Sequence, residues 1–379
     1  MSFTFISEPD PAARLADDLR EREWIALDCE AAGFHRYSDR LCLIQITTDD
    51  DTYIVDPFAV DPTGLLRPVL EDPEIRILMH GADYDIRLLD RDLGIRIRGL
   101  FDTQVAAALL GENALGLASL LEKFLDVRLS KKYQRADWAQ RPLPDDMLEY
   151  AASDTRYLPE LVELLATRLD EHDRRHWAEE EFEALEGVSW DEDPDEDPVV
   201  RVKGAHELGP LEVTALREAL AWRDRIARAR DRALFRVVGD RALLEAARTR
   251  PDSVKELEQL KGMNRSLARD EGEALLERLR RVEELAADEL VPYPRSSGNG
   301  DGRGRPPREV EERMYRLKSV RNRRASELEM DRGTLLPNAM LMEIAWEEPD
   351  SLDEMRSIDG LKDWQVEVMG TDLLQRLSD

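Results

Sequence analysis

The pattern of apolar positions divides the chain into an α/β part followed by a helical part. Short apolar runs predict strands at 24–27, 41–46, 53–55 and 75–79. The first three runs are too close together for intervening helices, so we expect them to pair as an antiparallel meander. Apolar positions three and four residues apart then predict helices at 103–110, 115–124 and 145–169. The first part of the chain is therefore predicted to be an α/β domain with a mixed sheet.

The remainder of the chain has helical periodicity and contains an internal repeat. The segment Pro251–Ser253 recurs 98 residues later as Pro349–Ser351, and Gly262 recurs as Gly360 at the same offset. A Ser in this context is typical of a helix N-cap. A Gly between helices is typical of a positive φ. We therefore expect two copies of one small all-α domain, in which these shared residues have structural roles.

Two stretches have the composition of linkers. Residues 191–197 hold six acidic side chains around Pro194, and residues 292–307 hold four prolines and four glycines. A run of like charges around a proline disfavours a helix or a strand. A run rich in glycine and proline does so as well. These stretches predict the following order: an α/β domain at 1–190, an acidic linker at 191–200, a first helical domain at 201–291, a Pro/Gly-rich linker at 292–307 and a second helical domain at 308–379.

Composition narrows the class of protein. Of the 379 residues 42% are hydrophobic, which is enough for folded cores, and the formal net charge is −28. Such a charge repels nucleic acid unless metal ions or local basic groups intervene, although it is equally typical of a protein kept soluble at high salt. Two cysteines exclude a disulfide framework and a four-thiolate zinc site. We expect a cytoplasmic location and no membrane partner, because neither a long apolar run nor an export signal is present.

Two acidic side chains stand at the end of the first predicted strand. Asp28 and Glu30 alternate with Cys29 in the segment IALDCE. Because side chains alternate along a strand, both carboxylates lie on one face and the thiol lies on the other. Paired carboxylates at a central strand favour a bound cation. The alternative is that the strand has ended and both carboxylates face solvent.

Further acidic residues follow later in the chain. Asp83 and Asp85 lie at a strand-to-helix junction, where helix capping explains at least one of them, and the pattern leaves the choice open. Tyr150 and Asp154 are four residues apart in a predicted helix and so share a face. Asp102 precedes a helix, where an N-cap is the simplest interpretation.

The order of these motifs resembles the DEDDy group of 3′→5′ exonucleases. The segments that carry the resemblance are IALDCE, RLCLIQI, LMHGADYD, FDTQ, LSKKYQRADWAQRPL and YAASDTRYLPEL. Together they are similar to the bacterial ribonuclease D family, and the two helical repeats resemble tandem HRDC domains. The resemblance spans nearly the whole chain. It implies an RNase H-like (DnaQ-like) catalytic fold and a metal-dependent exonuclease that acts on RNA 3′ ends.

The resemblance also assigns the site residues. Matched position by position, the ligands of two divalent ions, Mg²⁺ or Mn²⁺, are Asp28, Glu30, Asp85 and Asp154. This match selects Asp85 over Asp83 and adds Tyr150 as the last catalytic residue. A phenol with a pKa near 10 is a poor base at neutral pH, so we expect Tyr150 to orient the attacking water.

The residues expected to contact RNA are less tightly specified. The family often has threonine at position 29 and an aromatic residue at position 31, where this chain has Cys29 and Ala31. We therefore expect Phe34 or Tyr37 to supply a stacking surface for the terminal base. Basic and aromatic residues are interleaved between positions 131 and 138, and several more arginines lie at the start of the second repeat. From these two stretches the candidate contacts are Lys132, Gln134, Trp138, Arg321, Arg323 and Arg324. The alternatives are a solvated loop with one buried tryptophan, and intramolecular salt bridges.

The function that these expectations support is a metal-dependent 3′→5′ exoribonuclease that releases 5′-mononucleotides. The expected partner is RNA with a free 3′ end, such as tRNA precursors, and no obligate protein partner is implied. We expect the HRDC-like domains to assist substrate binding and to be dispensable for the chemical step. A DNA exonuclease of the proofreading type would use the same four acids. A non-catalytic RNA-binding scaffold is disfavoured by the complete carboxylate set.

Overall fold

The computed structural model describes residues 3–191, 196–294 and 306–378. Within them a six-stranded mixed sheet has the strand order β1-β4-β3-β2-β5-β6. The strands are β1 (Thr4–Ile6), β2 (Trp24–Ala31), β3 (Leu41–Thr47), β4 (Thr52–Val55), β5 (Arg76–Met79) and β6 (Leu100–Asp102). The predicted antiparallel meander of β2, β3 and β4 is confirmed. The other pairs, β1 with β4, β5 with β2 and β6 with β5, are parallel.

Helices cover the sheet and complete the first domain. They are α1 (Pro9–Leu19), α2 (Thr63–Leu70), α3 (Asp83–Leu93), α4 (Thr103–Leu109), α5 (Leu117–Leu125), α6 (Asp145–Arg156), α7 (Leu158–Glu171) and α8 (Arg175–Glu186). The single helix predicted at 145–169 is wrong, because the chain breaks it at Tyr157 into α6 and α7. Pro159 lies in the first turn of α7 and lacks the N–H group that a continuous helix would need there.

The rest of the described chain is helical, as the pattern predicted. The first repeat contains α9 (Pro210–Ala229), α10 (Leu234–Val237), α11 (Asp240–Thr249), α12 (Val254–Leu257) and α13 (Arg265–Glu283). The second contains α14 (Arg308–Glu327), α15 (Arg332–Leu335), α16 (Asn338–Glu347), α17 (Leu352–Arg356) and α18 (Asp363–Ser378). Each helix of the second repeat starts 98 residues after its counterpart. Across 3–191, 196–294 and 306–378, no helix has the length and apolar character needed to cross a bilayer.

The residues that the repeats share have the structural roles that the sequence predicted. Ser253 and Ser351 accept hydrogen bonds from backbone N–H groups at the starts of α12 and α17. Gly262 and Gly360 have φ angles of 92° and 79°. Both glycines are therefore required by the left-handed backbone that separates the helices.

Part of each predicted linker, residues 192–195 and 295–305, lies outside the described residues. The flanks that are described pack more than a linker should. Val199 is completely buried in the core of the first repeat, and Tyr293 packs against the same core. Residues from Pro198 onward therefore belong to the first helical domain rather than to the acidic linker.

The two helical repeats are attached to the α/β domain in different ways. The first repeat has a hydrophobic core of its own. The second repeat shares one continuous apolar cluster with the α/β domain. The buried Arg174 joins these two parts, because its guanidinium donates to the carbonyl of Leu109 at 2.7 Å and to that of Leu328 at 3.1 Å.

Candidate active site

Two of the candidate ligands project from the end of the central strand β2. This strand pairs with β5 only from Trp24 to Ala26, so Asp28 and Glu30 lie beyond the paired segment. The side chain of Cys29 is buried in the main core, on the opposite face of the sheet. The predicted alternation is confirmed, and it leaves both carboxylates partly exposed on the face that α6 covers.

The other two candidate ligands are brought to this position by helices. Strand β5 runs parallel to β2 and ends at Met79, and α3 starts four residues later with Asp85 in its first turn. Helix α6 packs against β2, β3 and β4 and carries Asp154. Carboxylate oxygens of Asp28, Glu30 and Asp154 lie within 4.8 Å of one another. Asp85 stands outside that group of three, is only 8% exposed and lies close enough for electrostatic interaction with Asp28.

The cluster concentrates negative charge at a site that is only partly exposed to water. Burial raises the pKa of Asp28 to about 7, although the backbone N–H of Cys29 opposes the shift. Burial and the charge of Asp28 raise the pKa of Asp154 to about 8. The pKa values of Glu30 and Asp85 are raised well above the usual range by burial and then by Asp28. Unpaired buried charges of one sign are unfavourable, so the cluster favours a cation.

The donor set indicates which kind of cation fits. Among the residues that the structure describes, none of the four carboxylates forms an ion pair with a basic side chain. Every candidate ligand is a carboxylate, and the nearby Cys29 thiol lies on the other face of the sheet. Carboxylate oxygens without thiolate or imidazole ligands suit hard divalent cations such as Mg²⁺ and Mn²⁺. The residues present therefore fit the divalent ions that the sequence resemblance implies.

Tyr150 lies one helical turn before Asp154 and borders the carboxylates. Its ring is 5.9 Å from that of Tyr133 and 6.1 Å from that of Trp138. Burial raises the pKa of Tyr150, and the charges of Asp154 and Glu30 raise it further. The phenol therefore keeps its proton and can act as a hydrogen-bond donor.

The turn that leads into α3 has an anchor that sequence reasoning missed. Asp102 was expected to cap α4, and its carboxylate does accept from Gln104 N and Val105 N. The same carboxylate also accepts from Gly81 N at 3.1 Å and from Ala82 N at 2.7 Å. Because Ala82 immediately precedes α3, Asp102 fixes the helix that carries Asp85. Sequence patterns contain no signal for this second role, since it depends on β5 and β6 being neighbours.

The stacking residues proposed from the sequence have different surroundings. Phe34 is exposed in the loop between β2 and β3. The hydroxyl of Tyr37 donates to Asp224 at 2.7 Å and accepts from Arg228 at 2.8 Å, and both partners belong to the first repeat. A stacking role for Tyr37 is therefore not supported, because the side chain is engaged between domains.

The side chains of the basic and aromatic segment at 131–138 also differ in their exposure. Lys132 is exposed and pairs with Asp146 at 2.9 Å, and Gln134 is exposed. Trp138 is buried beside the ring of Tyr150, so it packs against that side chain and offers no surface to RNA. RNA contacts by Lys132 and Gln134 stay predictions.

The arginines predicted in the second repeat also divide into buried and exposed residues. Arg321 is 4% exposed and donates to the carbonyl of Leu336 at 2.8 Å. Its counterpart Arg223 makes the matching bond in the first repeat, so the role is structural and the predicted RNA contact is wrong. Arg323 and Arg324 are more exposed and pair with acidic side chains, and their contacts with RNA stay predictions.

Comparison with known proteins agrees with this geometry. The 3′-5′ exonuclease family matches residues 3–170, and the HRDC domain family matches residues 213–279 and 310–377. Ribonuclease D of Pseudomonas paraeruginosa is 30% identical over 380 residues, which cover 96% of each chain. The crystal structure of Escherichia coli RNase D superposes with a TM-score of 0.72 at 26% identity and covers 100% of this chain and 99% of that one.

A eukaryotic relative is similar over a shorter region. Protein RRP6-like 2 of Arabidopsis thaliana is 34% identical over 68% of this chain, and this chain spans 31% of the length of that protein. The match to the bacterial enzyme is nearly end to end and includes the catalytic domain and both repeats. The chain belongs to the ribonuclease D family of 3′→5′ exoribonucleases.

Proposed function

We propose that this protein trims structured RNA precursors, such as those of tRNA, one nucleotide at a time from the 3′ end, and releases nucleoside 5′-monophosphates. The observation that carries the proposal is the cluster of Asp28, Glu30 and Asp154 carboxylates at the end of β2. The related E. coli RNase D is an exoribonuclease involved in structured RNA processing, which supports the choice of substrate. Such a substrate implies a cytoplasmic location.

We further propose that Asp28, Glu30, Asp85 and Asp154 hold two divalent ions, Mg²⁺ or Mn²⁺. When bound, such ions supply Lewis-acid stabilisation of the phosphodiester and a nucleophilic water at neutral pH. The support is electrostatic, because burial raises the pKa of all four carboxyl groups in the metal-free protein, and the charge of Asp28 raises the pKa of the other three further. Divalent cations also offset the repulsion between RNA and a protein of net charge −28.

In this proposal Tyr150 is a hydrogen-bond donor rather than a base. Its phenol stays protonated because burial and the neighbouring carboxylates raise its pKa. A protonated phenol one turn from Asp154 can donate to the attacking water and hold it in line with the scissile bond. Tyr133 and the buried Trp138 restrict the ring from two sides.

The proposed division of labour follows the domain order. The catalytic domain at 1–190 performs the hydrolysis, and the HRDC-like domains that follow it contribute to substrate binding. The second of these domains also stabilises the catalytic domain, since the two share one apolar cluster.

The test is a parallel digestion of RNA and DNA oligonucleotides of matched sequence, with Mg²⁺ or Mn²⁺ present. We expect RNA to be shortened from its 3′ end with 5′-mononucleotides as products. RNA that ends in a 3′ phosphate and circular RNA should both resist. Preferential digestion of DNA would contradict the substrate class, and internal cleavage of circular RNA would contradict the polarity. Calorimetric titration with Mn²⁺ should give two sites per chain.

A further inference from the structure

Two exposed aromatic rings meet at the junction of the catalytic domain and the first repeat. Phe34 comes from the loop between β2 and β3, and Phe235 comes from α10. Their ring centroids are 5.5 Å apart, and the residues are 37% and 54% exposed. Leu234, beside Phe235, is also exposed. Contiguous apolar surface of this kind is typical of a binding site.

Two arginines flank the aromatic pair. The guanidinium of Arg236 lies 4.7 Å from the ring centroid of Phe34 and 5.9 Å from that of Phe235. The guanidinium of Arg135 lies 5.6 Å from the ring of Phe34. Neither arginine forms an ion pair with any described residue, whereas the nearby Arg36 binds two aspartates. In a chain of net charge −28, unpaired cations beside aromatic rings are complementary to a polyanion with flat bases, which is single-stranded nucleic acid.

The HRDC-like fold itself does not require this pair of residues. At the repeat offset of 98, Phe235 and Arg236 correspond to Gly333 and Thr334. The second repeat nevertheless forms the equivalent short helix α15. The aromatic and basic side chains therefore belong only to the repeat whose α10 faces the loop after Glu30.

The loop that carries Phe34 is held firmly in this position. Asp39 accepts from Gly33 N at 2.6 Å, and Arg236 Nε donates to the carbonyl of Phe34 at 2.6 Å. The ring of Phe34 and the two guanidinium groups therefore have a defined arrangement before any ligand binds. A pre-organised arrangement lowers the entropic cost of binding.

The group formed by the two phenylalanines and the two arginines lies close to the carboxylates of the candidate active site, and two segments of the chain connect them. Phe34 follows Glu30 by four residues, and four residues of extended chain span at most about 14 Å. On the other side, Arg135 is two residues from Tyr133, whose ring contacts Tyr150. Stacked nucleotides in a strand advance by about 3.4 Å each. A 3′ end at the carboxylates would therefore bring one of the next few bases to the cluster.

We propose that Phe34, Arg135, Phe235 and Arg236 form a composite site for single-stranded RNA a few nucleotides upstream of the scissile bond. The exposed half of Phe235 stacks on a base, and the two guanidinium groups contact the adjoining phosphates. This inference rests on the proposed exoribonuclease function and adds a specific surface of the first repeat to the path of the substrate.

The first experiment compares the KM of the full chain for a dinucleotide with its KM for an octanucleotide. Phe235→Leu keeps an apolar contact with Phe34 but removes the ring face. Base–aromatic stacking is worth roughly a 5- to 150-fold change in affinity. We therefore expect Phe235→Leu to raise the octanucleotide KM relative to the dinucleotide KM by at least about fivefold. Phe235→Tyr should restore most of that ratio, and Tyr315→Ala, which removes an exposed aromatic residue from the second repeat, is the matched control.

The second experiment measures binding without hydrolysis. An RNA with 2-aminopurine a few nucleotides from its 3′ end should lose fluorescence on binding to the full chain with Ca²⁺ in place of Mg²⁺, because the base stacks. Phe235→Leu should abolish that loss. Arg135→Gln and Arg236→Gln should each reduce the slope of log affinity against log salt by about one.

The main competing interpretation is that Phe235 only holds the two domains together. In that case Phe235→Leu would leave the KM ratio and the fluorescence change as in the parent, and that result overturns the proposal. Equal KM increases for the dinucleotide and the octanucleotide overturn it as well. The fluorescence measurement distinguishes failure of the composite site from failure of the proposed exoribonuclease function. A protein that shows Phe235-dependent base stacking but hydrolyses no RNA would have the composite site and lack the proposed function.

Discussion

Trp364 of the second repeat stacks on Trp177 of the catalytic domain, with ring centroids 4.9 Å apart and 19° between the ring planes. Both rings are buried. The carboxylate of Glu180 in α8 accepts the backbone N–H of Trp364 at 3.0 Å, and Glu181 accepts the indole N–H at 2.9 Å. A chain segment held by an aromatic stack and by hydrogen bonds to its helix start is part of the same folding unit. The second repeat is therefore packed onto the catalytic domain and is not merely tethered to it by a linker.

Truncation of the tryptophan stack should destabilise the catalytic domain. Trp364→Ala is expected to lower the free energy of unfolding by about 3–5 kcal/mol, because a large buried side chain leaves a cavity. Urea unfolding followed by circular dichroism measures the change. Tyr315→Ala is the control, since Tyr315 lies in the same repeat and is 66% exposed. An unchanged catalytic-domain transition in Trp364→Ala would show that the second repeat unfolds independently.

Removal of a carboxylate from the cluster should separate activity from stability. Asp154→Asn is expected to slow RNA hydrolysis by at least about 100-fold, since even outer-sphere groups at metal sites are worth 10- to 100-fold. The same variant should be more stable than the parent when metal is absent, because one of several mutually repelling charges is gone. Initial rates and metal-free thermal unfolding test both parts. Turnover close to that of the parent would contradict the assignment of Asp154.

The stability of the metal-free protein should depend on pH in a defined direction. The folded-state pKa values of about 7 for Asp28 and about 8 for Asp154 lie above the value of about 4 expected in the unfolded chain. The folded protein therefore retains protons that the unfolded chain loses, and the free energy of unfolding falls as the pH rises from about 4 to about 8. The gain in Tm on addition of Mg²⁺ should accordingly be larger at about pH 8 than at about pH 5.5. A gain that is larger at the lower pH would contradict this account.

Removal of the Tyr150 hydroxyl should affect turnover rather than metal binding. A hydrogen bond between the phenol and a charged or reacting group is worth about 1.5–3 kcal/mol, so Tyr150→Phe should lower kcat by about 10- to 100-fold. The ring contacts with Tyr133 and Trp138 are kept in this variant. Calorimetry should therefore give an unchanged affinity for Mn²⁺. A parallel loss of affinity would mean that Tyr150 positions the ligands instead.

Local patterns in the sequence predicted the parts of the site that are close together along the chain. The alternation at Asp28 and Glu30 and the one-turn spacing of Tyr150 and Asp154 follow from strand and helix periodicity. Strands β1 and β6 were missed because three residues are too few for a periodic signal. The break between α6 and α7 at Tyr157 was missed because the apolar spacing continues across it.

Contacts between distant segments were beyond the reach of these patterns. The spacing of Arg321 and Arg323 suggests a shared basic surface, yet burial removes Arg321 from it. The pairing of Phe34 with Phe235 depends on how the first repeat docks against the loop after β2. Such relationships require the tertiary structure, because the two residues belong to different domains and are far apart along the chain.

Asp102 provides a final test, since it combines a helix cap with a second role beside the candidate metal site. Its carboxylate accepts from two N–H groups of the turn before α3, in addition to those at the start of α4. Asp331 is a matched control, because its carboxylate caps α15 by accepting from Gly333 N and Thr334 N. Loss of either cap should cost about 1 kcal/mol in the free energy of unfolding.

Only the loss of Asp102 should also disturb Asp85, the candidate ligand that α3 carries. Asp102→Ala leaves the N–H groups of Gly81 and Ala82 without their acceptor, so we expect an additional cost of about 1–3 kcal/mol. The start of α3 then moves relative to β2, and the affinity for Mn²⁺ should fall by about 10- to 100-fold. Asp331→Ala should leave that affinity as in the parent. Equal Mn²⁺ affinities in the two variants would show that Asp102 acts as a helix cap, like Asp331, and does not position Asp85.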